Sequence, residues 1–233
     1  MKPLLSFIIP AWNEQDYIAA TIESIQRSAK DYQHEIIVVN DNSDDETALI
    51  AHSLGVTVID VKHRQIGATR NSGASIASGK YLVFVDADTI IYETVVQEMV
   101  EVLSRGFVAG SSFPRFDGML PLTAKFLTPL VRYLFLFLKL GAGAYIFCTK
   151  EGFEAVGGFN EKFFAAEEVY LSKSLHRQGK FKTLKSQVLT SGRKFRTHSS
   201  IHILMTLFLV AIPGIRRIKQ RKSLWYGDRR REF

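Results

Sequence analysis

Tyr81-Leu82-Val83-Phe84-Val85-Asp86-Ala87-Asp88 is the stretch on which the fold turns. A run of strand-forming residues ends abruptly in two aspartates separated by one small residue. On an extended backbone successive side chains alternate, so Asp86 and Asp88 are expected on the same side of the strand's end. Two carboxylates at the exposed end of a buried strand are costly unless something pairs them. A divalent metal bound to a diphosphate does so, because hard oxygen ligands suit Mg2+ or Mn2+. A solvated turn at a strand end is the competing reading of an isolated Asp-x-Asp, so the neighbouring segments have to decide.

Upstream, the apolar run Leu5 to Ile9 stops at Pro10, and polar residues Asn13 and Glu14 follow. A helix is expected from about Glu14 to Arg27, with Ile18, Ile22 and Ile25 on one face. The next strand, Glu35 to Asn40, ends in the polar cluster Asp41 to Thr47, where Ser43 or Asp44 suits a helix cap. A third strand is expected from Val56 to Val61, then a short helix beginning with Gly67-Ala68-Thr69-Arg70-Asn71-Ser72-Gly73, then the strand bearing the aspartates. Such alternation predicts an α/β fold, a parallel sheet with helices on both faces. Ligands on sheets of this kind bind at the carboxyl ends of the strands. Asn13, Glu14, Asp41, Arg70, Asp86 and Asp88 all fall at that edge.

In this order, Pro10-Ala11-x-Asn13-Glu14, Asp41-x-Ser43, Ala68-x-Arg70-Asn71-x-Gly73 and Asp86-Ala87-Asp88 resemble the family-2 glycosyltransferases of the GT-A fold. Val156-Gly157-Gly158-Phe159-Asn160-Glu161 and Glu167-Glu168-Val169-Tyr170-Leu171 extend the resemblance, which covers roughly residues 4–190. It implies a metal-dependent, inverting transfer of one sugar from a nucleoside-diphosphate sugar, with UDP favoured. Pro10, Ala11 and Glu14 would line base and ribose, and Asp41 would accept a hydrogen bond from the base. Arg70 would sit against base or diphosphate, Asp86 would face the ribose, and Asp88 would hold Mn2+ or Mg2+. Glu168 falls where the family usually has its catalytic aspartate. These roles agree with the chemistry, which needs leaving-group charge neutralised and an acceptor hydroxyl deprotonated.

Two positions depart from the pattern. Asn40 stands where the family often has an aspartate, which keeps an acceptor oxygen and loses a charge. Glu168 is one methylene longer than the usual base, and a misplacement near 1 Å can cost ~10²-fold in rate. The site is therefore shaped around Glu168, or Glu167 shares the task.

The net charge of +7 suggests a nucleic-acid partner until it is located. Residues 214–233 carry a balance of +6, and the remaining 213 residues carry +1. The charge is a tail, and no nucleic-acid binding is expected. The tail follows Ile201 to Pro213, an apolar segment shorter than the ~20 residues of a membrane span. Apolar plus basic suits an interfacial anchor on anionic lipid, or a core helix with a solvated basic end. Met119 to Leu140 is dominated by Leu, Phe and Tyr, with Lys125, Arg132 and Lys139 spaced seven apart. It reads as a lipid-facing helix, a homodimer interface, or a lid on the acceptor site.

The expected organisation is a GT-A domain over 1–195, with a nucleotide-binding half (1–90) and an acceptor half (91–195). An apolar and basic helical appendage follows over 196–233. Met1-Lys2-Pro3 runs straight into the first strand, so the expected location is cytoplasmic, peripheral at the inner face of a membrane. Cys148 is the single cysteine and lies in an apolar run, as a core thiol would. A lipid-linked or glycan acceptor follows from these segments. A polyprenyl-phosphate glycosyltransferase and a non-catalytic nucleotide-sugar binder or membrane scaffold are the alternatives. The basic turn Ser191 to Arg196 is a further place where a diphosphate or acceptor could meet positive charge.

Overall fold

The structure is a computed structural model that describes residues 3–121, 143–163 and 167–193, with positions 125, 128, 129, 133 and 141 singly. Its first half alternates as expected. Strand β1 (Leu5–Ala11) leads to α1 (Ile18–Ser28), β2 (His34–Asp41) to α2 (Thr47–Ser53), and β3 (Thr57–Val61) to α3 (Ile66–Ile76). Strand β4 (Tyr81–Val85) follows, then β5 (Thr89–Ile90), α4 (Glu93–Ser104), β6 (Ala109–Ser111) and β7 (Pro114–Phe116). The later elements are β8 (Tyr145–Thr149), α5 (Lys150–Ala155), α6 (Glu167–Gln178), β9 (Phe181–Thr183) and β10 (Val188–Thr190).

One seven-stranded sheet has the order β3-β2-β1-β4-β8-β6-β9, and a three-stranded sheet has the order β5-β10-β7. Strands β3, β2, β1 and β4 are parallel, whereas β8 is antiparallel to β4. The chain moves outward from β1 in one direction to β2 and β3, then returns to the other side of β1 for β4. That reversal is a topological switch point, and it opens a crevice at the carboxyl ends of β1 and β4.

Side-chain alternation sorts the core into two layers. Leu5, Phe7 and Ile9 of β1, with Val83 and Val85 of β4, pack with Ile18, Ile22 and Ile25 of α1 and Val95, Val96 and Met99 of α4. Ile8, Val39, Leu82 and Phe84 face the other way, onto Ala74 of α3 and Leu171 and Leu175 of α6. Covering both faces is what permits near-continuous apolar strands. Cys148 is fully buried in the second layer, and burial pushes its thiol pKa up, as suits a core residue.

Helix α1 begins at Ile18, four residues later than the periodicity predicts. The backbone N–H groups of Asn13, Glu14 and Gln15 are taken by Ser43 Oγ (2.9 Å), Thr47 Oγ1 (2.8 Å) and Asp45 Oδ2 (3.2 Å). Asn13 is in the left-handed region at φ 52°. Loop interlocking therefore wins over helix propensity there. Strand β4 likewise ends at Val85, and the Thr89 N–H closes a turn onto the Asp86 carbonyl at 3.0 Å. Asp86 and Asp88 thus sit in a turn and not on extended backbone, so strict alternation does not apply to them.

Most of the Met119–Leu140 segment, all of Ile201–Pro213 and the basic tail lie outside the described residues. Among the described residues no helix is long and apolar enough to cross a membrane.

Gly110 of β6 marks the tightest strand contact. A Cβ there would fall onto the Lys182 carbonyl oxygen and the Phe147 ring. Gly110→Ala is expected to destabilise the fold by about 1–3 kcal/mol, read from the urea midpoint. An unchanged midpoint would show that β6 and β9 part without cost.

Candidate active site

The carboxyl edge is built from loops that hold one another. Asn40 donates its amide N–H to Asp60 Oδ1 at 2.7 Å and accepts from the Ser43 N–H at 3.3 Å. An aspartate at position 40 would meet Asp60 as a like charge, which gives the departure at this position a physical reason. Asp41 is buried, and its Oδ1 accepts from the His63 and Arg64 N–H groups at 2.7 and 3.0 Å. Its Oδ2 accepts from Thr69 Oγ1 at 2.9 Å. In this structure Asp41 organises the loop that precedes α3. Pro10 and Ala11 end β1 beside it, both buried.

Two residues that carry no motif stand at this mouth. Arg64 is exposed, has φ 49°, and places its guanidinium 4.4 Å from the centroid of the Trp12 ring. A cation stacked on an indole at the end of β1 is a flat polar surface. No sequence signal marks it, because the pair forms only when β1 and the loop after β3 come together.

Arg70 is 2% exposed. Its Nη1 donates to Glu167 Oε1 at 2.8 Å. Its Nη2 donates to Asp86 Oδ1 at 2.7 Å and to the Gly143 carbonyl at 3.3 Å. The guanidinium also lies 5.2 Å from the centroid of the Phe159 ring. The structure places Arg70 inside the fold, where the resemblance implies contact with base or diphosphate. Next to it Asn71 brackets Phe159, donating Nδ2 to the Phe159 carbonyl and accepting the Phe159 N–H, both at 2.9 Å. Gly157 and Gly158 make the turn that allows this, at φ 74° and 71°. The Arg-Asn and Gly-Gly-Phe motifs are two halves of one joint.

Asp86 and Asp88 have different partners. Asp86 faces Arg70. Asp88 Oδ2 lies 3.0 Å from Arg193 Nη2, and Asp88 Oδ1 accepts from Thr190 Oγ1 at 3.3 Å. Arg193 also grips Glu14 with both Nη atoms, at 2.8 and 2.7 Å, and rests 4.8 Å from the centroid of the Tyr17 ring. The basic turn after β10 thus reaches back across the sheet to the end of β1. Two carboxylates from separate strand ends converge on one guanidinium, so the edge is built to hold positive charge. Among the described residues there is no group of three or more His, Cys, Asp or Glu side chains that would hold a metal ion.

Glu167 and Glu168 open α6. Glu167 is buried against Arg70. Glu168 is half-buried beside Gly143, where an added Cβ would lie 3.3 Å from its carboxyl carbon and Oε1. Burial first, and then the neighbouring Glu167 charge, push the Glu168 pKa well above the ordinary carboxylate range, against the opposing pull of Arg70. A carboxylate with a raised pKa is the stronger base.

The family model described as Glycosyl transferase family 2 matches residues 6–150. An uncharacterized glycosyltransferase of Rickettsia prowazekii (strain Madrid E) is 34% identical over 107 residues, covering 45% of this chain and 33% of that protein. The chain spans about a third of the length of the curated relatives it matches. Among solved structures, the mannosyltransferase PcManGT of Pyrobaculum calidifontis, in complex with GDP-Man and Mn2+, is similar in fold. Its TM-score is 0.70 at 18% identity, covering 90% of this chain and 61% of that one. The glucosyl-3-phosphoglycerate synthase of Mycobacterium tuberculosis, with Mn2+, UDP and glucosyl-3-phosphoglycerate, has a TM-score of 0.65 at 21% identity, over 89% and 78% of the chains. The strand order, the carboxyl-edge cluster and the match over 6–150 together make this chain a member of glycosyl transferase family 2.

Proposed function

We propose that this chain transfers a single sugar, with inversion, from a nucleoside-diphosphate sugar to an acceptor hydroxyl. The observation that carries the reading is the convergence of Asp88 and Glu14 on one cation at the carboxyl edge, with the Glu168 carboxylate at the start of α6 beside Gly143. Neighbours of the same fold hold GDP-Man with Mn2+ and UDP with Mn2+, and UDP is the favoured donor nucleotide here.

The donor set fits a divalent cation. Mg2+ and Mn2+ sites of this kind take one or two protein carboxylates and complete their shell with substrate phosphate oxygens. Asp88 would hold the ion, with Glu14 supplying further negative charge, and the Arg193 guanidinium stands at that place as a cation of the chain's own. A bound metal would neutralise charge on the leaving diphosphate. The remaining work falls to the protein. Pro10, Ala11 and the Asp41-organised loop would seat base and ribose at the switch point, with Asp86 beside them. Glu168, as carboxylate, would take the proton of the acceptor hydroxyl as its oxygen bonds to the anomeric carbon and the carbon–phosphate oxygen bond breaks. One base and no covalent sugar intermediate give inversion. Glu168 must be deprotonated to act, so transfer is expected to rise with pH through its raised pKa.

Glu168→Gln keeps shape and removes basicity. It is expected to leave the thermal shift given by nucleotide and Mn2+ intact and to lower transfer at least ~10²-fold. The whole stabilisation is about 2.7 kcal/mol at 100 times the dissociation constant, and Asp88→Ala is expected to abolish its Mn2+-dependent part. Undiminished transfer by Glu168→Gln would move the base to Glu167 or the acceptor to a phosphate. A shift without turnover by the wild type on any sugar nucleotide would indicate a binder.

The acceptor is proposed to be lipid-linked, at an anionic membrane surface. Support comes from Met119–Leu140 and from Ile201–Pro213 with the tail after it. Sedimentation with anionic vesicles, weakened by salt or by deletion of residues 214–233, is the expected result, at ~1 kcal/mol per basic residue. Equal binding to neutral vesicles would remove the electrostatic part, and a soluble dimer without vesicle binding would make the apolar segments a protein interface.

A further inference from the structure

Arg70 touches more of the site than any motif position predicts. It comes from α3, yet its fork joins Asp86 at the end of β4, Glu167 at the start of α6 and the Gly143 carbonyl ahead of β8. A lysine has one ammonium and no fork, so it would not span two carboxylates in fixed geometry. Adjacent residues on a helix point about 100° apart. With Glu167 buried on Arg70, Glu168, beside Gly143, is the one of the two carboxylates that keeps partial exposure. Arg70 also fixes the other wall of that carboxyl, because Gly143, whose carbonyl it holds, is the residue against which Glu168 lies.

We propose that Arg70 is a positioning residue: it holds Glu167 out of the chemistry, leaves Glu168 as the base, and sets the base in register with the donor edge at Asp86. The inference rests on the transferase reading above and deepens it. A purely structural pair is a weak explanation of this arrangement. A buried ion pair exchanged for apolar residues of similar volume is often no less stable, so stability alone gives little reason to keep the buried Arg70–Glu167 pair. Here the same two groups control the neighbouring base. The charges that weigh most on Glu168 are Glu167 from its own helix and Arg70 from α3, with opposite sign, while the Gly143-Ala144 segment brings no charge.

The opposition of sign gives the test. Glutamate carboxyl carbons are labelled with carbon-13 in the full chain, the Glu168 signal is assigned with Glu168→Gln, and its titration is followed by NMR. Arg70→Gln removes a positive charge and is expected to move the Glu168 midpoint up by at least about one pH unit. Glu167→Gln breaks the same ion pair but removes a negative charge, and is expected to move the midpoint down. Arg70→Lys keeps the charge and loses the fork. It should leave the midpoint near the wild-type value and lower kcat about 10²-fold, with little change in donor KM. Loss of stability would be common to all three variants, so only the opposed midpoints and the kcat-against-KM split report positioning. Midpoints that do not move, or that move in the same direction, overturn the proposal. If Arg70→Gln does not fold, the kcat-against-KM split in Arg70→Lys decides, and unchanged kcat there overturns the proposal. Opposed shifts without transfer from any sugar nucleotide would sink the transferase reading and leave the Arg70 assignment standing. Transfer that needs Glu168, with midpoints unmoved, would do the reverse.

Discussion

A single buried guanidinium, shared between Asp86 and Glu167, is the constraint on which the rest of the site depends. Burying it is affordable only because both carboxylates and a carbonyl meet its Nη atoms. Removing Arg70 would leave the buried Glu167 carboxylate without its cation, the kind of loss that costs about 3–5 kcal/mol. The pairing therefore fixes the distance between the end of β4 and the start of α6. Asp86 and Asp88 lie on the β4 side of this link, and Glu168, the proposed base, lies on the α6 side. The joint between Asn71 and Phe159 reinforces the same link one residue further along α3.

A second cation closes the opposite flank. Arg193 follows β10, far along the chain from Glu14, and its contacts with Glu14 and Asp88 tie the last described turn to the first strand end. Arg70 and Arg193 thus divide the two aspartates of the motif between them. Asp86 is held by a guanidinium from the core, and Asp88 by one at the rim. The two guanidinia differ in burial, with Arg70 at 2% and Arg193 at 17% exposed, so Asp86 is tied to a fixed core cation and Asp88 to one nearer the surface.

Much of this was legible in the sequence. The continuous apolar runs located β1, β2 and β4, and the strand–helix alternation implied the parallel sheet. The carboxyl-edge cluster followed from where the apolar runs stop. What pairwise spacing does not contain is which polar groups meet across the sheet. The start of α1 was misplaced because hydroxyl and carboxylate groups at Ser43, Asp45 and Thr47 capture the N–H groups of residues 13–15, contacts some thirty residues apart. Asp86 and Asp88 were expected to point together, and the turn at Thr89 gives them different partners. Asn40 had looked like a loss of charge. Its amide is a donor to Asp60, which is visible only once β2 and β3 are paired. The Arg64–Trp12 stack had no signal, since neither residue belongs to a pattern.

The most direct test is anomalous diffraction from crystals grown with Mn2+ and a nucleoside-diphosphate sugar. The account predicts one manganese peak on the Asp88 carboxylate, with the diphosphate completing its shell and Arg70 still bridging Asp86 and Glu167. A manganese peak on Glu167 or Glu168, or a fully bound diphosphate with no metal at Asp88, would contradict it.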